Sequence, residues 1–235
     1  MGTICKKCNE FHTKKNTFMK LINLEKENSL LNQYVAELRD KDIQTDRQRF
    51  RRNLERTGEI FAYEISKTMS YKSQAVETPL GKKQVMLPVH TPVLSTILRA
   101  GLPLHQGLLN YFDAADNAFI SAYRKYDDDG NFDIYLEYAS SPDLDNATLI
   151  ISDPMLATSS SMLLTYNELL EAGKPDHVHI VTIIASQKGV DVLADNISAN
   201  NVTLWTGSID PHLNEKAYII PGLGDAGDLA YGMKR

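Results

Sequence analysis

Residues 147–164, Ala-Thr-Leu-Ile-Ile-Ser-Asp-Pro-Met-Leu-Ala-Thr-Ser-Ser-Ser-Met-Leu-Leu, bring a carboxylate, a run of hydroxyls and a helix start together in one short stretch. Thr148 to Ile151 is an apolar, β-branched run that reads as a buried strand, and the chain meets an acid, Asp153, just beyond it. Thr158-Ser159-Ser160-Ser161 follows, and Met162, Leu163, Tyr166, Leu169 and Leu170 then set a helical pattern. The first N–H groups of a helix lack internal partners, and the dipole there favours an anion. Hydroxyls add donors, and small side chains let a phosphate come close. An acid at the strand's carboxyl end could hold ribose hydroxyls or a magnesium ion. Ser or Thr at a helix start also serves simply as an N-cap, so the residue types alone leave both readings open.

Two further clusters could act on the same ligand. Arg99-Ala100-Gly101 follows the strand-like run Val93 to Leu98, where a guanidinium can offer a bidentate fork to a diphosphate. Taken alone, a surface arginine paired with a carboxylate is the simpler reading. Tyr218-Ile-Ile-Pro-Gly-Leu-Gly-Asp-Ala-Gly-Asp228 holds three glycines and two acids and reads as a loop with exposed backbone rather than as a helix. Cys5, Cys8 and His12 offer three zinc-type ligands, but a structural zinc site wants a fourth. No role is assigned to them.

The elements that must position these groups alternate. Met19 opens a first strand, and Asn28 to Asp40 and Gln44 to Met69 read as helices, the second with Phe50, Leu54, Phe61, Ile65 and Met69 on one face. The arginines at its start, Arg47, Arg49, Arg51, Arg52 and Arg56, point several ways and read as a solvated or subunit-interface face, with a regulatory anion site as the minor alternative. Then come a strand over 93–98, a helix over 104–111 and a strand over 118–123. The turn Asp127-Asp128-Asp129-Gly130 and a return arm over 132–138 follow. Further on, strands over 148–151, 178–185 and 202–206 alternate with helices over 159–172 and 191–196. Such alternation implies a mainly parallel sheet covered on both faces, with ligands at the strands' carboxyl ends.

Composition narrows the class. At 235 residues, with 43% hydrophobic and 23% charged residues, the chain suits one large α/β domain. The net charge of −5 gives no global attraction for nucleic acid, and no apolar run suggests a membrane span or a secretory signal. Two cysteines, both near the start, cannot brace the core, and a cytoplasmic home is expected. Residues 1–18 read as a disordered extension and 19–235 as a single domain.

The order Asp-Pro-Met-Leu-Ala-Thr-x-x-Ser over 153–161 resembles the ribose-phosphate loop of the uracil phosphoribosyltransferases. Ile97-Leu-Arg-Ala-Gly-Leu102 resembles that family's diphosphate loop, and residues 218–228 its uracil-reading loop. Residues 90–140, including Leu102-Pro-Leu-His-Gln-Gly-Leu-Leu-Asn-Tyr-Phe112, resemble a bacterial branch of the family. The resemblance implies a type I phosphoribosyltransferase fold with a small hood from the N- and C-terminal segments and a hairpin arm at about 124–140. It implies that uracil and 5-phospho-α-D-ribose 1-diphosphate yield UMP and diphosphate. Arg99, Arg124 and Asp153 would be catalytic. Asp153, Pro154, Met155, Leu156, Ala157, Thr158, Ser159, Ser160, Ser161 and Asp225 would join the two arginines in binding the ribose diphosphate. Ile219, Gly224, Asp225 and Ala226 would read uracil, and Asp225 would meet magnesium, directly or through water. A homodimer or higher oligomer is implied, and GTP is left open as an effector.

Two departures stand out. The family usually carries glycine after the threonine, where this chain has Ser159-Ser160. If that position needs positive φ, serine costs roughly 1 kcal/mol or more and weakens binding; in an ordinary helix-start conformation the N–H still points at the phosphate and little is lost. Ser186-Gln-Lys-Gly189 replaces a common Ala-Pro-Glu-Gly with no chemical consequence expected. A ligand-binding sensor without turnover and an RNA-binding pyrimidine regulator remain alternatives. The acidic charge and scattered arginines weigh against the second.

Overall fold

The computed structural model describes residues 19–126, 132–197 and 200–233. Cys5, Cys8 and His12, the 1–18 extension and the turn at Asp127–Gly130 lie outside the described residues.

The central strands form where β-branched runs are apolar on both sides: β4 (Val93–Leu98), β7 (Thr148–Ser152), β9 (His177–Ser186) and β10 (Val202–Asp210). With β1 (Lys20–Asn23), β5 (Asp116–Tyr126) and β6 (Phe132–Ser140) they run in the order β1-β10-β9-β7-β4-β5-β6. All neighbours are parallel except β5 and β6. The two-residue β8 (Met155–Leu156) continues the β7 line onto β9.

Alternation along the strands feeds two cores. Leu94, Ile150, Val181 and Ile183 face α1 (Leu30–Arg39), α2 (Arg47–Ser66) and α3 (Leu102–Leu109). Val93, Ile97, Leu149, Ile151 and Ile180 face α4 (Ser160–Leu170) and α5 (Gln187–Asn196). Each helix starts on a cap where one is available: Ser29, Asp46 and Ser186 accept N–H groups of the first turn. At the crossing of α2 and α3, a Cβ on Gly107 would collide with the Glu55 backbone, and one on Gly58 with the Leu104 carbonyl. Glycine at both lets α3 pack tightly on α2, which holds the Arg99–Gly101 turn just ahead of α3.

Three features were not anticipated. β2 (Tyr71–Thr78) and β3 (Gly81–Pro88) form a separate antiparallel hairpin, exposed along almost its whole length. β11 (His212–Leu213) and β12 (Ile219–Ile220) pair near the carboxyl ends of the main strands. The glycine-rich segment is not all loop, because α6 (Ala226–Tyr231) begins inside it. Asp225 caps that helix through the Asp228 N–H, and Ala226 and Ala230 are buried on its inner face, so two of the disfavoured residues lie at its first turn where they cost little. The arginines of α2 are mostly used internally: Arg49 grips Glu37, Arg52 reaches Glu55, Arg51 donates to the Ala230 carbonyl, and Arg56 lies over Tyr34.

Candidate functional site

The carboxyl ends of β4 and β7 lie side by side, with Thr96 opposite Ser152. Their hydroxyls tie the pair: Thr96 Oγ1 donates to the Ser152 carbonyl at 3.1 Å, and Ser152 Oγ to the Ser95 carbonyl at 3.1 Å. The Arg99 and Asp153 loops therefore leave the sheet next to each other. A cavity of about 450 Å³ opens there. It is lined from the first loop by Arg99 and Ala100, from the second by Asp153 and residues 155–162, and from the C-terminal segment by Ala217, Tyr218 and residues 224–227. Three stretches far apart in sequence thus meet in one cleft.

Not every anticipated residue lines it. Pro154 lies under the loop, and its carbonyl accepts from Ile183 and Ile184 N–H groups of β9. Ile219 is buried in the α1–α3 core beside the cleft rather than in its wall. Arg124 lies on β5 opposite Ile134, and its side chain is outside the described residues.

Asp153 sits half-buried at the end of β7. Loss of solvent pushes its carboxyl up to about 7, and the Met155 N–H pulls only weakly the other way. No cation compensates it among the described residues, so a cationic ligand would find an uncommitted carboxylate.

Ser159 takes the left-handed conformation, φ 65°, at the start of α4. The position usually held by glycine therefore does require positive φ. The serine is 3% exposed, and its Oγ donates to the Gly189 carbonyl at 2.6 Å. Ser186 Oγ donates to the Ala157 carbonyl at 2.6 Å and accepts the Gly189 N–H at 2.8 Å. The Ser186–Gly189 turn, expected to be without chemical consequence, is in fact hydrogen-bonded to the hydroxyl loop. Outside this buried pair, Thr158 Oγ1 and Ser160 Oγ lie 3.0 Å apart on the cleft side.

Arg99 reaches across to the C-terminal segment, with Nη2 at 3.3 Å from Asp228 Oδ1 and 3.4 Å from the Gly232 carbonyl. Its Nε is buried without a partner among the described residues, so the guanidinium is only partly satisfied. A ligand anion could take it over. Asp225 uses Oδ1 to accept the Asp228 N–H and is otherwise exposed at the cleft. Among the described residues no group of three or more His, Cys, Asp or Glu is arranged to hold a metal ion.

The C-terminal loop depends on residues that no motif announced. Arg39, at the end of α1, donates to both oxygens of Asp210 at 2.7 and 2.8 Å, to Ser208 Oγ at 2.9 Å and to the Gly222 carbonyl at 3.0 Å. Asp210 in turn accepts the Gly222 N–H at 2.9 Å, and Ser208 donates to Glu25. Gly222 has φ 59°, and a Cβ there would strike the Ile219 carbonyl. The signal was absent from the sequence because an arginine at a helix end and an acid at a strand end are common and here lie 171 positions apart.

Comparison with known proteins is consistent with this geometry. A family model described as uracil phosphoribosyltransferase matches residues 25–233. A Porphyromonas gingivalis protein named uracil phosphoribosyltransferase is 58% identical over 216 residues, covering 92% of this chain and 100% of that one. A Pyrococcus furiosus protein of the same name is 36% identical over 201 residues, covering 84% of each chain. A solved structure from Aquifex aeolicus aligns with a TM-score of 0.80 at 28% identity, over 90% of this chain and 98% of that one.

Proposed function

The chain belongs to the uracil phosphoribosyltransferase family, and from that membership we propose how its own cleft joins uracil to 5-phospho-α-D-ribose 1-diphosphate to give UMP and diphosphate. It is a pentosyltransferase with the type I phosphoribosyltransferase fold. The single observation that carries the assignment of roles is the meeting of the Arg99 turn, the Asp153–Ser161 loop and the 217–227 segment around one cavity.

Displacement at an anomeric carbon passes through an oxocarbenium-like state, so catalysis rests on positioning and charge stabilisation. The N–H groups and hydroxyls of Thr158, Ser160 and Ser161 would hold the 5′-phosphate at the start of α4. Asp153 would hold the ribose hydroxyls, and its carboxylate would stabilise the developing cation. Arg99, released from Asp228, and Arg124 would receive the departing diphosphate. Uracil would be read by backbone groups of Gly224 and Ala226 with Asp225 beside them, O4 meeting a donor and N3–H an acceptor. Cytosine would leave buried polar groups unpaired there. The exposed carboxylate of Asp225 fits a magnesium ion that arrives on the diphosphate rather than one caged by three or more protein ligands. That ion would supply charge neutralisation at the leaving group.

A homodimer belongs to the same proposal. An isolated two-stranded hairpin is at best marginal in water, yet β2–β3 stands apart from the main sheet with Val76, Leu80 and Met86 exposed. A second copy covering it would resolve that. Sedimentation should find a dimer, and a Val76→Asp/Met86→Asp chain should run as a monomer. The cytoplasmic location rests on the sparse cysteine usage alone.

The deciding assay is UMP formation from uracil, the ribose diphosphate and magnesium, beside cytosine, hypoxanthine and orotate. Turnover confined to uracil supports the reading. Binding of the ribose diphosphate with no product from any base would instead favour a sensor.

A further inference from the structure

The 5′-phosphate loop is held by more than its own helix start. Gly189, in the first turn of α5, lies directly under residues 156–157, and a Cβ on it would meet the Leu156 and Ala157 carbonyls. Two serines bridge that contact in opposite directions. Ser186 Oγ accepts the Gly189 N–H as the N-cap of α5 and donates its O–H to the Ala157 carbonyl, at 2.8 and 2.6 Å. Ser159 Oγ, from the loop side, donates its O–H to the Gly189 carbonyl at 2.6 Å. Both serines are buried, at 0% and 3% exposure. The loop peptides between Ala157 and Ser159 are thus pinned at one end to Ser186 and at the other to Gly189, which Ser186 itself caps.

Ser159 is also the residue whose backbone is strained, with φ 65° in a conformation that suits glycine. A side chain at such a position persists only where its surroundings over-determine it, and here the buried hydroxyl bond does so. We infer that Ser159, Gly189 and Ser186 form a staple that presets the phosphate loop, making the two serines positioning residues for the ribose diphosphate. The inference rests on the substrate assigned above. Pinning the loop before the ligand arrives lowers the ordering cost of binding, so its effect falls on affinity for the ribose diphosphate and leaves the chemical step largely alone. Uracil, held by the 217–227 segment, is not affected.

The test compares wild type with Ser159→Ala, Ser159→Gly, Ser186→Ala and the Ser159→Ala/Ser186→Ala pair. For each, ribose-diphosphate binding is measured by calorimetry, and kcat, both KM values and the melting temperature are recorded. Ser159→Ala keeps the strain and loses the bond, and should weaken ribose-diphosphate binding ~10-fold. Ser159→Gly removes the strain as well and should recover most of that loss. Ser186→Ala should weaken binding by about the same factor, and the double variant little further, because either change opens the staple. In each case kcat and the uracil KM should stay within about twofold. Unchanged ribose-diphosphate affinity with only a lower melting temperature would overturn the inference, as would additive losses or a glycine variant worse than alanine. Because calorimetry needs no turnover, a wild type that binds the ribose diphosphate but makes no UMP would sink the assigned reaction and leave the staple testable.

Discussion

Arg39 holds both carboxylate oxygens of Asp210, at 2.7 and 2.8 Å, while Asp210 takes the Gly222 N–H, so the end of α1 governs the loop assigned to uracil. Removing the guanidinium leaves a nearly buried carboxylate without its cation. Because Arg39 keeps 21% of its side chain in solvent, the cost should be less than for a fully buried pair. Arg39→Met is expected to destabilise the fold by about 2 kcal/mol and to raise the uracil KM ~10-fold. The ribose-diphosphate KM should change little. Chemical denaturation and steady-state kinetics check both parts, and equal effects on the two substrates would refute the link.

The Asp153 carboxyl, pushed up to about 7 by burial, gives two pH signatures. Its carboxylate is the form that stabilises a cation, so kcat/KM for the ribose diphosphate should climb as pH rises through about 7. Stability runs the other way. The folded chain keeps this proton up to about 7, whereas an unfolded Asp loses it near 4. The contribution is therefore full below pH 4 and lost as pH rises through 7. Asp153→Asn should abolish most turnover, melt a few degrees higher than wild type at pH 8, and match it at pH 4. A lower melting point at pH 8 would contradict this.

At the other end of the sheet, the Trp205 indole donates to His179 Nδ1 at 3.0 Å, with His177 and Lys20 nearby. Burial, then the charge of His177 and of Lys20, depresses His179 to about 3. An unfolded histidine takes a proton below about 6.5, so the folded state should lose stability as pH falls from 6.5 toward 3. Trp205 is the one tryptophan in the chain, and its emission reports the transition directly. His179→Phe should flatten the acid slope while lowering stability at pH 7, since the indole N–H is left unpaired.

Chelation should separate chemistry from folding. With no protein-built cage among the described residues, EDTA is expected to stop UMP formation and leave the melting temperature of the ligand-free protein unchanged. Thermal melts with and without chelator decide the point, and a shift of several degrees would reveal a resident metal.

The crossing of α2 and α3 gives a prediction for the scaffold alone. Gly107→Ala would drive its methyl into the Glu55 backbone, which cannot move without shifting the helix. A loss of about 2–3 kcal/mol is expected from denaturant curves, with activity falling as the Arg99 turn shifts.

Much of this was readable from one dimension. β4 spans the residues its β-branched run implied, and β7, β9 and β10 run only a few residues past theirs, because a strand buried on both faces needs an unbroken apolar run and little else qualifies. The hydroxyl loop and the Arg99 turn were legible because phosphate chemistry demands small residues and donors directly after strands. The β2–β3 hairpin was not, since its exposed, mixed sequence carries no core stripe, although Pro79 and Gly81 do mark its turn. α6 was missed because its glycine and acids read as loop, and only burial of Ala226 and Ala230 makes a six-residue helix worthwhile.

By itself, then, the sequence determined the alternating α/β plan, the family resemblance and the residue types offered to phosphate, ribose and base, because these follow from local periodicity and short-range order. Tertiary structure alone decided that Ser159 is left-handed and bonded to Gly189, that Asp153 is half-buried with its carboxyl pushed up, and that Arg39 commands Gly222. Each of these depends on groups dozens to hundreds of positions apart being packed within hydrogen-bond reach or away from water, and no local pattern encodes such a distance.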